Sequence, residues 1–384
     1  MDNIAGSKSS LGWAVQISVV LLVALWLFPT VGLLVSSFRT SDQISSSGWW
    51  QSLFPTEQNM TLRTTDPDNE GAQTLVDGVY TISGNLFGEP GDAEISVWGT
   101  SSRAIDVYTP GETADLGDGE TITVQANGDY VWTGTEELSG RGQRAFVTAT
   151  TPPDFTLDNY EQVLLSDNAT DSMAKAFFNT LTVTIPATII PIVIAAFAAY
   201  ALAWMDFPGR AILIAMVVGL LVVPLQLALI PLLKLHLDIG IGKGYLGTWM
   251  AHTGFGLPLA IYLLRNYMVG LPRDIIENAK VDGATDFQIF TKIILPLSFP
   301  ALASFAIFQF LWTWNDLLVA KVFLIDATGD TTVMTNQIVE LLGTRGGNWE
   351  ILATAAFVSI AVPLVVFFAM QKYLVRGLLA GSVK

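Results

Sequence analysis

The sequence predicts an all-α membrane protein with six transmembrane helices and a β-rich domain inserted between the first and second helices. Three observations support this prediction. Hydrophobic residues make up 51% of the 384 residues and charged residues only 14%, a balance typical of membrane proteins. Apolar segments recur that exceed the roughly 20 residues a helix needs to cross a bilayer. A long polar segment, residues 39–172, interrupts them after the first.

The net charge of −15 is distributed unevenly along the chain. Residues 39–172 contain 22 acidic and 5 basic side chains, so this segment carries −17 and the remainder +2. An acidic surface repels phosphate, which disfavours nucleic-acid binding. The absence of cysteine excludes disulfides and thiolate metal sites. His236 and His252 lie in or near apolar segments, where a packed or pore-lining role is favoured, so we expect no metal site.

Three regions follow in order. Residues 1–38 comprise a polar tail and the first transmembrane helix, because the apolar run is too long for a secretory signal and no small-residue cleavage site follows. Residues 39–172 form the acidic insert, and residues 173–384 form a membrane core with five more helices. The predicted spans are residues 11–38, 174–204, 209–236, 245–269, 294–320 and 351–374.

Turn signals and alternating residues predict β-structure over about residues 60–150 of the insert. The alternation in Thr121–Gln125 and Tyr130–Thr133, with an Asn-Gly turn between them, predicts a hairpin. Asp77-Gly78 and Asp118-Gly119 mark further turns. A short element over residues 154–165 precedes the second span.

Five residues of the insert resemble the ligand positions of a calcium loop. They are Asp66, Asp68, Glu70, Gly71 and Asp77. The flanks are not helical, Pro67 fits poorly and Asp closes the loop in place of Glu. A solvated acidic turn is therefore the favoured interpretation.

Six spans place both termini on one side of the membrane, and the positive-inside bias identifies that side as cytoplasmic. The basic residues that fall on it are Arg210, Arg265, Arg273, Lys280, Lys292, Lys372, Arg376 and Lys384. The insert and residues 321–350 then lie outside. Seven prolines within the apolar segments predict kinked helices. They are Pro186, Pro191, Pro224, Pro231, Pro258, Pro300 and Pro363.

A charged island, residues 274–300, separates two apolar segments and has internal order. Apolar and small residues at helical spacing end at Gly283, a second short helix follows over Thr285–Ile294, and Pro296 opens the next span. We predict a helix, a glycine bend and a helix. Gly283 would accept a positive φ and let the two helices approach closely.

This island resembles the EAA loop of permease subunits of binding-protein-dependent ABC importers. The family pattern is Glu-Ala-Ala, two residues, Asp-Gly-Ala, an aromatic residue, Ile-x-Leu-Pro and a further Pro. It occurs here as Glu277-Asn278-Ala279, Asp282-Gly283-Ala284, Phe290, Ile293-Ile294-Leu295-Pro296 and Pro300. Asn278 departs from the usual Ala.

Other segments resemble the carbohydrate branch of the same family, in particular the smaller permease subunit of maltose and α-glucoside importers. They are Asn179–Leu181, Ala199–Ala203, Phe207–Arg210, Leu263–Tyr267, Trp312–Asp316 and the tail Gln371–Lys384. A large insert after the first span resembles the α-glucoside subgroup.

The resemblance implies a multi-pass inner-membrane subunit of an ATP-driven sugar importer, with no enzymatic activity of its own. Its partners would be a homologous second permease, an ATPase homodimer, an extracytoplasmic sugar-binding protein and membrane lipid. It would hold no cofactor, because ATP and Mg bind to the ATPase subunits. The resemblance does not distinguish among maltose, sucrose, trehalose and glucosylglycerol as the transported sugar.

The resemblance also assigns roles to residues. Within the coupling loop, residues 274–296, the ATPase contacts would be Glu277, Asn278, Ala279, Asp282, Gly283, Ala284, Leu295 and Pro296. A C-terminal ATPase contact would use Gly377, Ala380, Gly381 and Lys384. A loop entering the cleft of the binding protein would use Gly343, Gly346, Gly347 and Trp349. Stacking on sugar makes Trp312 and Trp314, with Asn315, the pathway candidates, although core packing of such aromatics is commoner.

Two other function classes compete with an importer subunit. A stand-alone secondary transporter of small polar solutes would need carboxylates buried in mid-span, whereas Asp206, Asp238 and Asp316 lie near predicted span ends. A membrane-anchored receptor built on the β domain would not need five further spans. The chain has no phosphate-binding Gly-x-x-x-x-Gly-Lys-Ser/Thr loop, so ATP hydrolysis would require a partner.

Overall fold

The computed structural model describes residues 10–76, 78–88, 91–165, 173–326, 328–344 and 347–379. The chain divides into two compact units. The first comprises Met1–Tyr160 with Gly347–Thr354, and the second comprises Glu161–Gly346 with Ala355–Lys384.

The first unit begins with two helices, α1 (Ser10–Ser36) and α2 (Ser41–Ser46). Its described residues then form eight strands. They are β1 (Thr56–Arg63), β2 (Thr74–Val76), β3 (Val79–Asn85), β4 (Glu94–Gly99), β5 (Thr113–Gly117), β6 (Glu120–Val124), β7 (Asp129–Gly134) and β8 (Arg144–Thr151). Helix α3 (Asp158–Leu165) follows the last strand.

The strands form two antiparallel sheets that share one apolar core. Their orders are β1-β8-β4 and β2-β3-β7-β6-β5. Ile82 and Trp132 from the larger sheet and Trp98 and Val147 from the smaller one are buried in a common cluster. Alternating residues of both sheets therefore face each other, as in a β-sandwich, and the prediction of a β-rich insert is confirmed.

The predicted hairpin is the pair β6–β7, in which Val124 lies opposite Tyr130. Gly128 closes its turn with a φ of 86°. Of the residues that resemble a calcium loop, Asp77 lies outside the described residues. The carboxylates of Asp66 and Asp68 instead accept backbone hydrogen bonds, from the N–H groups of Gly142 at 2.6 Å and Gly140 at 3.2 Å. These two hydrogen bonds hold the loop that contains Asp66 and Asp68 against the loop that contains Gly140 and Gly142.

The second unit is helical. Its helices are α4 (Met173–Trp204), α5 (Arg210–Leu220), α6 (Leu225–Asp238), α7 (Tyr245–Val269), α8 (Arg273–Val281), α9 (Asp286–Ile289), α10 (Leu295–Leu297), α11 (Phe299–Trp314), α12 (Leu318–Phe323) and α13 (Met334–Thr344). Helix α14 (Trp349–Leu379) begins in the first unit and continues in the second.

Among the described residues, three helices are long and apolar enough to cross a membrane: α1, α4 and α14. Two bent pairs raise the number to as many as five if each pair is one span. One is α5 with α6, bent by 113°, and the other joins Asp286–Leu297 to α11, bent by 70°. Helix α7 has 25 residues but is less apolar, with Thr248, His252 and Thr253 buried along it. The predicted count of six is therefore not established by length and hydropathy alone.

The segment predicted as one kinked span over residues 209–236 is divided into two helices after Leu220, with a bend of 113° between them. Helix α6 starts only at Leu225, with Pro224 as its N-cap residue. Proline lacks the N–H that would continue a helix, and it disfavours helical conformation in the residue before it. The predicted span over residues 294–320 is likewise shorter, because α11 ends at Trp314 and α12 begins at Leu318.

Candidate coupling site

The charged island folds as predicted, into a helix, a glycine bend and a second short helix. Helix α8 ends at Val281, and Gly283 follows with a φ of 80°. Helix α9 then starts with a capping box, in which Thr285 and Gln288 each bind the other's backbone N–H through their side chains. A π-helical turn, Phe290–Ile294, joins it to α10. We call Arg273–Leu297 the coupling element.

One face of the coupling element is anchored in the helical unit. Ile276, Ile289, Phe290 and Ile294 are buried. They form a single cluster with residues of α4 and α7 that include Ala199, Ala203, Leu264 and Met268. The amphipathic spacing of these apolar residues explains why the short helices persist, since packing of an apolar face stabilises helices too short to be stable alone.

Aromatic and polar contacts fix the position of this anchored face. The ring of Phe290 lies 4.6 Å from that of Phe197 and 5.3 Å from that of Tyr200, measured between centroids. The Tyr200 hydroxyl donates to the Asp286 carboxylate at 3.1 Å. These contacts join the coupling element directly to α4.

The opposite face is exposed and carries most of the residues assigned to ATPase contact. Glu277, Asn278 and Asp282 are exposed, whereas Ala279 and Ala284 are half-buried and pack against the anchored cluster. Glu277 pairs with Arg273 at 3.1 Å along the helix. Leu295 and Pro296 line an apolar cavity of about 500 Å³, together with Phe299 and Met370.

Two apolar residues on the exposed face are not among those that the sequence assigned to ATPase contact. Val281 is 85% exposed and Phe287 is 65% exposed. They flank the glycine bend, one in the last turn of α8 and the other in the first turn of α9. No motif singles them out, and only their combination of apolar character and exposure makes them candidates for a contact surface.

The predicted close approach of the two short helices at Gly283 is wrong. A Cβ built at this position meets nothing within 4 Å, so close approach of the two helices is not what requires glycine there. The requirement comes from the left-handed backbone alone, which side chains with a Cβ adopt at a cost.

The pathway candidates separate into different environments. Trp312 is 38% exposed and lines a mainly apolar cavity of about 420 Å³, with Leu225, Phe255 and Pro258. Trp314 is 1% exposed, and its indole N–H donates to the Ser359 carbonyl at 3.0 Å. Its ring stacks on Phe310, so Trp314 is packed in the helical unit and does not line this cavity. Asn315 is exposed and donates to the Leu311 carbonyl.

A buried polar group lies beside these residues. The Asp316 side chain is 7% exposed, and one carboxylate oxygen lies 3.7 Å from Nε2 of His252, which is 1% exposed. The same carboxylate accepts from the Ala320 N–H at the start of α12. Asp316 is thus near the end of a helix, as predicted, but it is buried. The sequence could not show this, because the partner histidine is on another helix.

The remaining assigned residues are only partly described. Gly343 lies in the last turn of α13 rather than in a loop, and Trp349 begins α14 and is 58% exposed. Gly347 lies between the two helices, and Gly346 lies outside the described residues. Gly377 belongs to helix α14, whereas Ala380, Gly381 and Lys384 lie outside the described residues.

Arg210 has a structural role that the charge pattern did not suggest. Its guanidinium donates to the carbonyls of Leu202, Ala203 and Met205 at 2.9–3.2 Å. It therefore satisfies carbonyl groups that would otherwise lack partners at the C-terminal end of α4. Among the described residues, no group of three or more potential ligands could hold a metal ion.

Comparison with known proteins identifies relatives of the whole chain and of its helical part. Residues 169–379 match the family described as binding-protein-dependent transport system inner membrane component. The α-glucoside transport system permease protein AglG of Rhizobium meliloti (strain 1021) is 60% identical over 383 residues, which is 98% of each chain. This alignment includes the insert.

Other relatives align over a smaller part of the chain. The osmoprotective compounds uptake permease protein GgtD of Synechocystis sp. (strain ATCC 27184 / PCC 6803 / Kazusa) is 58% identical over 60% of this chain and 76% of its own length. Among solved structures, a bacterial ABC transporter that imports the acidic polysaccharide alginate aligns with 23% identity and a TM-score of 0.48. The match covers 58% of this chain and 81% of that one.

Proposed function

The chain belongs to the family of binding-protein-dependent transport system inner membrane components, and from this premise we propose that it forms half of the translocation pathway of an α-glucoside importer. It is a permease subunit of a sugar ABC transporter, a transport component and not an enzyme. The observation that carries the proposal is the coupling element, which is anchored to α4 and α7 on one face and exposed on the other.

The two faces of the coupling element suit the transfer of force. Nucleotide-driven closure of an ATPase dimer would push on the exposed face, where Glu277, Asn278 and Asp282 supply polar contacts and Val281 and Phe287 supply apolar ones. The buried face transmits that push, because Phe290 and Tyr200 connect it directly to α4. Exposed apolar residues rimmed by polar groups are typical of protein–protein contacts.

The substrate class rests on the alignment with AglG, whose name specifies α-glucosides. The alignment with AglG extends through the insert, which supports the α-glucoside subgroup. Maltose, sucrose and trehalose all remain within the class. Trp312 is the residue of this chain best placed to meet a sugar, since an aromatic ring on the wall of an apolar cavity can stack on the apolar face of a pyranose.

The proposed topology has six spans, with α7 counted as the sixth. An interior helix shielded by its neighbours tolerates polar residues that a lipid-facing helix does not, and ten residues of α7 are buried. Both termini and the coupling element would be cytoplasmic, and the insert extracytoplasmic. The positive-inside bias supports this orientation.

The proposed assembly contains this chain, a homologous second permease, an ATPase homodimer and an extracytoplasmic sugar-binding protein in the inner membrane. Trp349, exposed at the start of α14, and Gly347 would meet the binding protein. The tail around Gly377 would make a second ATPase contact. ATP and Mg would bind to the ATPase subunits.

Purification from the native membrane tests the proposal. The tagged chain is extracted in mild detergent, and its partners are identified and quantified by mass spectrometry. We expect one second permease and two ATPase copies for each copy of this chain. The double variant Val281→Ser/Phe287→Ser should lose the ATPase while keeping the second permease. The matched control Val107→Ser removes an exposed valine from the insert and should keep both.

Recovery of the chain alone, as a stable homo-oligomer, would contradict the proposal and favour a stand-alone secondary transporter. Retention of the ATPase by the double variant would contradict the coupling role of Val281 and Phe287 and leave the family assignment unaffected.

A further inference from the structure

The insert contains a groove whose charge is opposite to that of the domain around it. Only five of the basic residues in the chain belong to residues 39–172, against 22 acidic ones. Three of the five, Arg63, Arg141 and Arg144, line one open groove of about 510 Å³. Thr100, Ser101 and Ser102 line it as well, so guanidinium and hydroxyl donors face a common space.

Within the part of the chain that the structure describes, no acidic side chain forms an ion pair with Arg63, Arg141 or Arg144. Arg63 also lies directly opposite Arg144 on the neighbouring strands β1 and β8, and like charges in such cross-strand pairs are destabilising. Three of the five cations of this acidic domain therefore lie together, a local concentration of positive charge that favours an anionic ligand.

The walls of the groove are held in place by backbone contacts. The Arg63 guanidinium donates to the Gly142 carbonyl at 2.7 Å, and the Gln143 N–H donates to the Thr64 hydroxyl at 2.8 Å. Asp66 accepts from the Gly142 N–H on the same rim. A Cβ at Gly142 would collide with the Thr64 carbonyl oxygen, so these two loops approach closely.

The second wall is built in a similar way. A Cβ at Gly99 would collide with the carbonyl oxygen of Ala104, which brings the turn carrying Ser101 and Ser102 against the end of β4. The groove is therefore formed before any ligand arrives, a property that reduces the ordering cost of binding.

The groove lies at the end of the small sheet opposite the two chain connections. Thr56 and Thr151, through which the sandwich connects to the rest of the chain, lie opposite each other at one end of β1 and β8. Arg63 and Arg144 lie opposite each other at the other end, seven residues or about 23 Å away along the strand. The groove thus opens at the end of the sheet remote from both connections.

We propose that this groove binds a small solute that carries carboxylate or phosphate groups. The planar fork of arginine matches both oxyanions in a bidentate geometry, and the hydroxyls add donors without charge. A concave site of this volume lies in the range of small-molecule sites. The assignment stands independently of the importer proposal, because it rests on the insert alone.

Titration calorimetry of the full-length chain in detergent tests the assignment, with citrate and inorganic phosphate as probes and sodium chloride at matched ionic strength as the reference. We expect binding of at least one probe, weakening as salt increases. The double variant Arg141→Gln/Arg144→Gln should weaken it by about tenfold or more, since two charge-assisted contacts are lost. The control Arg103→Gln, which removes an equal charge from an exposed arginine outside the groove lining, should weaken it less than threefold.

The comparison of the two probes identifies the anion. Tighter binding of citrate would indicate a carboxylate ligand, and tighter binding of inorganic phosphate would indicate a phosphate ligand. Absence of heat with both probes would overturn the assignment, and binding of a hexaglutamate peptide in their place would identify an acidic protein partner instead. If Arg103→Gln weakened probe binding as much as the double variant, the effect would come from the general charge of the domain, and the assignment to the groove would be wrong. A lower melting temperature of the double variant without any change in affinity would show that the arginines are structural.

Discussion

At Gly283 the backbone conformation favours glycine, whereas the space around the residue would accommodate a side chain. Its φ of 80° lies in the left-handed region, yet a side chain there would project into open space. Asparagine adopts that region more readily than other residues with a Cβ. A substitution at this position therefore has two effects, a strained backbone and a side chain on the outer surface of the coupling element, and asparagine keeps the first effect small.

We expect Gly283→Asn to keep the ATPase in the purified complex and Gly283→Trp to lose it, because the indole would occupy the surface on which the partner docks. Both variants should insert into the membrane at normal levels, and quantitative mass spectrometry of the tagged chain measures the outcome. Gly329→Trp is the matched control, with a φ of 74° and equally open surroundings, and should keep the ATPase. Normal assembly and uptake with Gly283→Trp would show that the docking role is wrong.

Asp129 in the insert should make the stability of the β6–β7 hairpin decrease as the pH falls. The amides of Asn85 and Asn127 donate to its carboxylate at 2.9 and 2.7 Å, which lowers the pKa of Asp129 below the ordinary value. A pKa that is lower in the folded state means stabilisation that is present above the unfolded pKa and lost as the pH falls through the lowered value.

Asp129→Asn should therefore destabilise the β6–β7 hairpin at neutral pH, and its difference from the unmodified chain should close as the pH falls below the ordinary carboxyl pKa. The ratio of amide hydrogen-exchange rates in hairpin peptides, variant over unmodified, measures this at each pH. Exposed Asp106→Asn should give a ratio near one throughout. A difference for Asp129→Asn that is constant with pH would contradict the assignment.

At the scale of the element, α11 places two tryptophans on different sides within one turn. Trp314 is buried and hydrogen-bonded to Ser359, whereas Trp312 lines a cavity. Trp314→Phe should lower the melting temperature of the purified chain, since the lost hydrogen bond is worth about 1 kcal/mol. Trp312→Ala should reduce uptake in reconstituted vesicles with a smaller change in melting temperature.

Melting in detergent and uptake at saturating binding protein together test this division. The opposite pattern, in which Trp312→Ala melts early and Trp314→Phe impairs only uptake, would show that the cavity beside Trp312 is a packing defect rather than part of the pathway.

Elements with local signals were predictable, and elements that depend on distant contacts were not. The coupling element followed from its helical spacing, from Gly283 and from Pro296, all within a few turns of one another. The kink at Pro224 was predicted from the proline, but its size was not, because the apolar composition continues through the break between α5 and α6. The burial of Asp316 depends on His252, on another helix, so no local pattern reports it.

The candidate site shows the same division. The polar residues of the coupling element were predictable from the motif, whereas the exposure of Val281 and Phe287 depends on which face of α8 and α9 the anchored cluster covers. The arginine groove needs the strand register that places Arg63 opposite Arg144. Residues so far apart in the chain cannot be paired without the sheet.

At the scale of the whole molecule, we expect the two units to carry separate tasks. The anchored cluster beneath the coupling element and the cavity beside Trp312 are formed by residues of the second unit. The sandwich core and the arginine groove are formed by residues of the first. The chain enters the sandwich at Thr56 and leaves it at Thr151, which are paired across two strands and so lie about 5 Å apart between Cα atoms.

Replacing residues 56–151 with a short Gly-Ser linker should therefore leave a chain that still inserts, binds the second permease and the ATPase, and transports α-glucosides. Copurification and uptake in reconstituted vesicles measure this. Deleting residues 120–134 alone is the matched control, because it removes β6 and β7 and exposes half of the sandwich core, including Ile82, and should cause aggregation. Loss of uptake by the 56–151 deletion with assembly intact would contradict the separation of tasks, since the sandwich would then take part in the delivery of sugar to the permease.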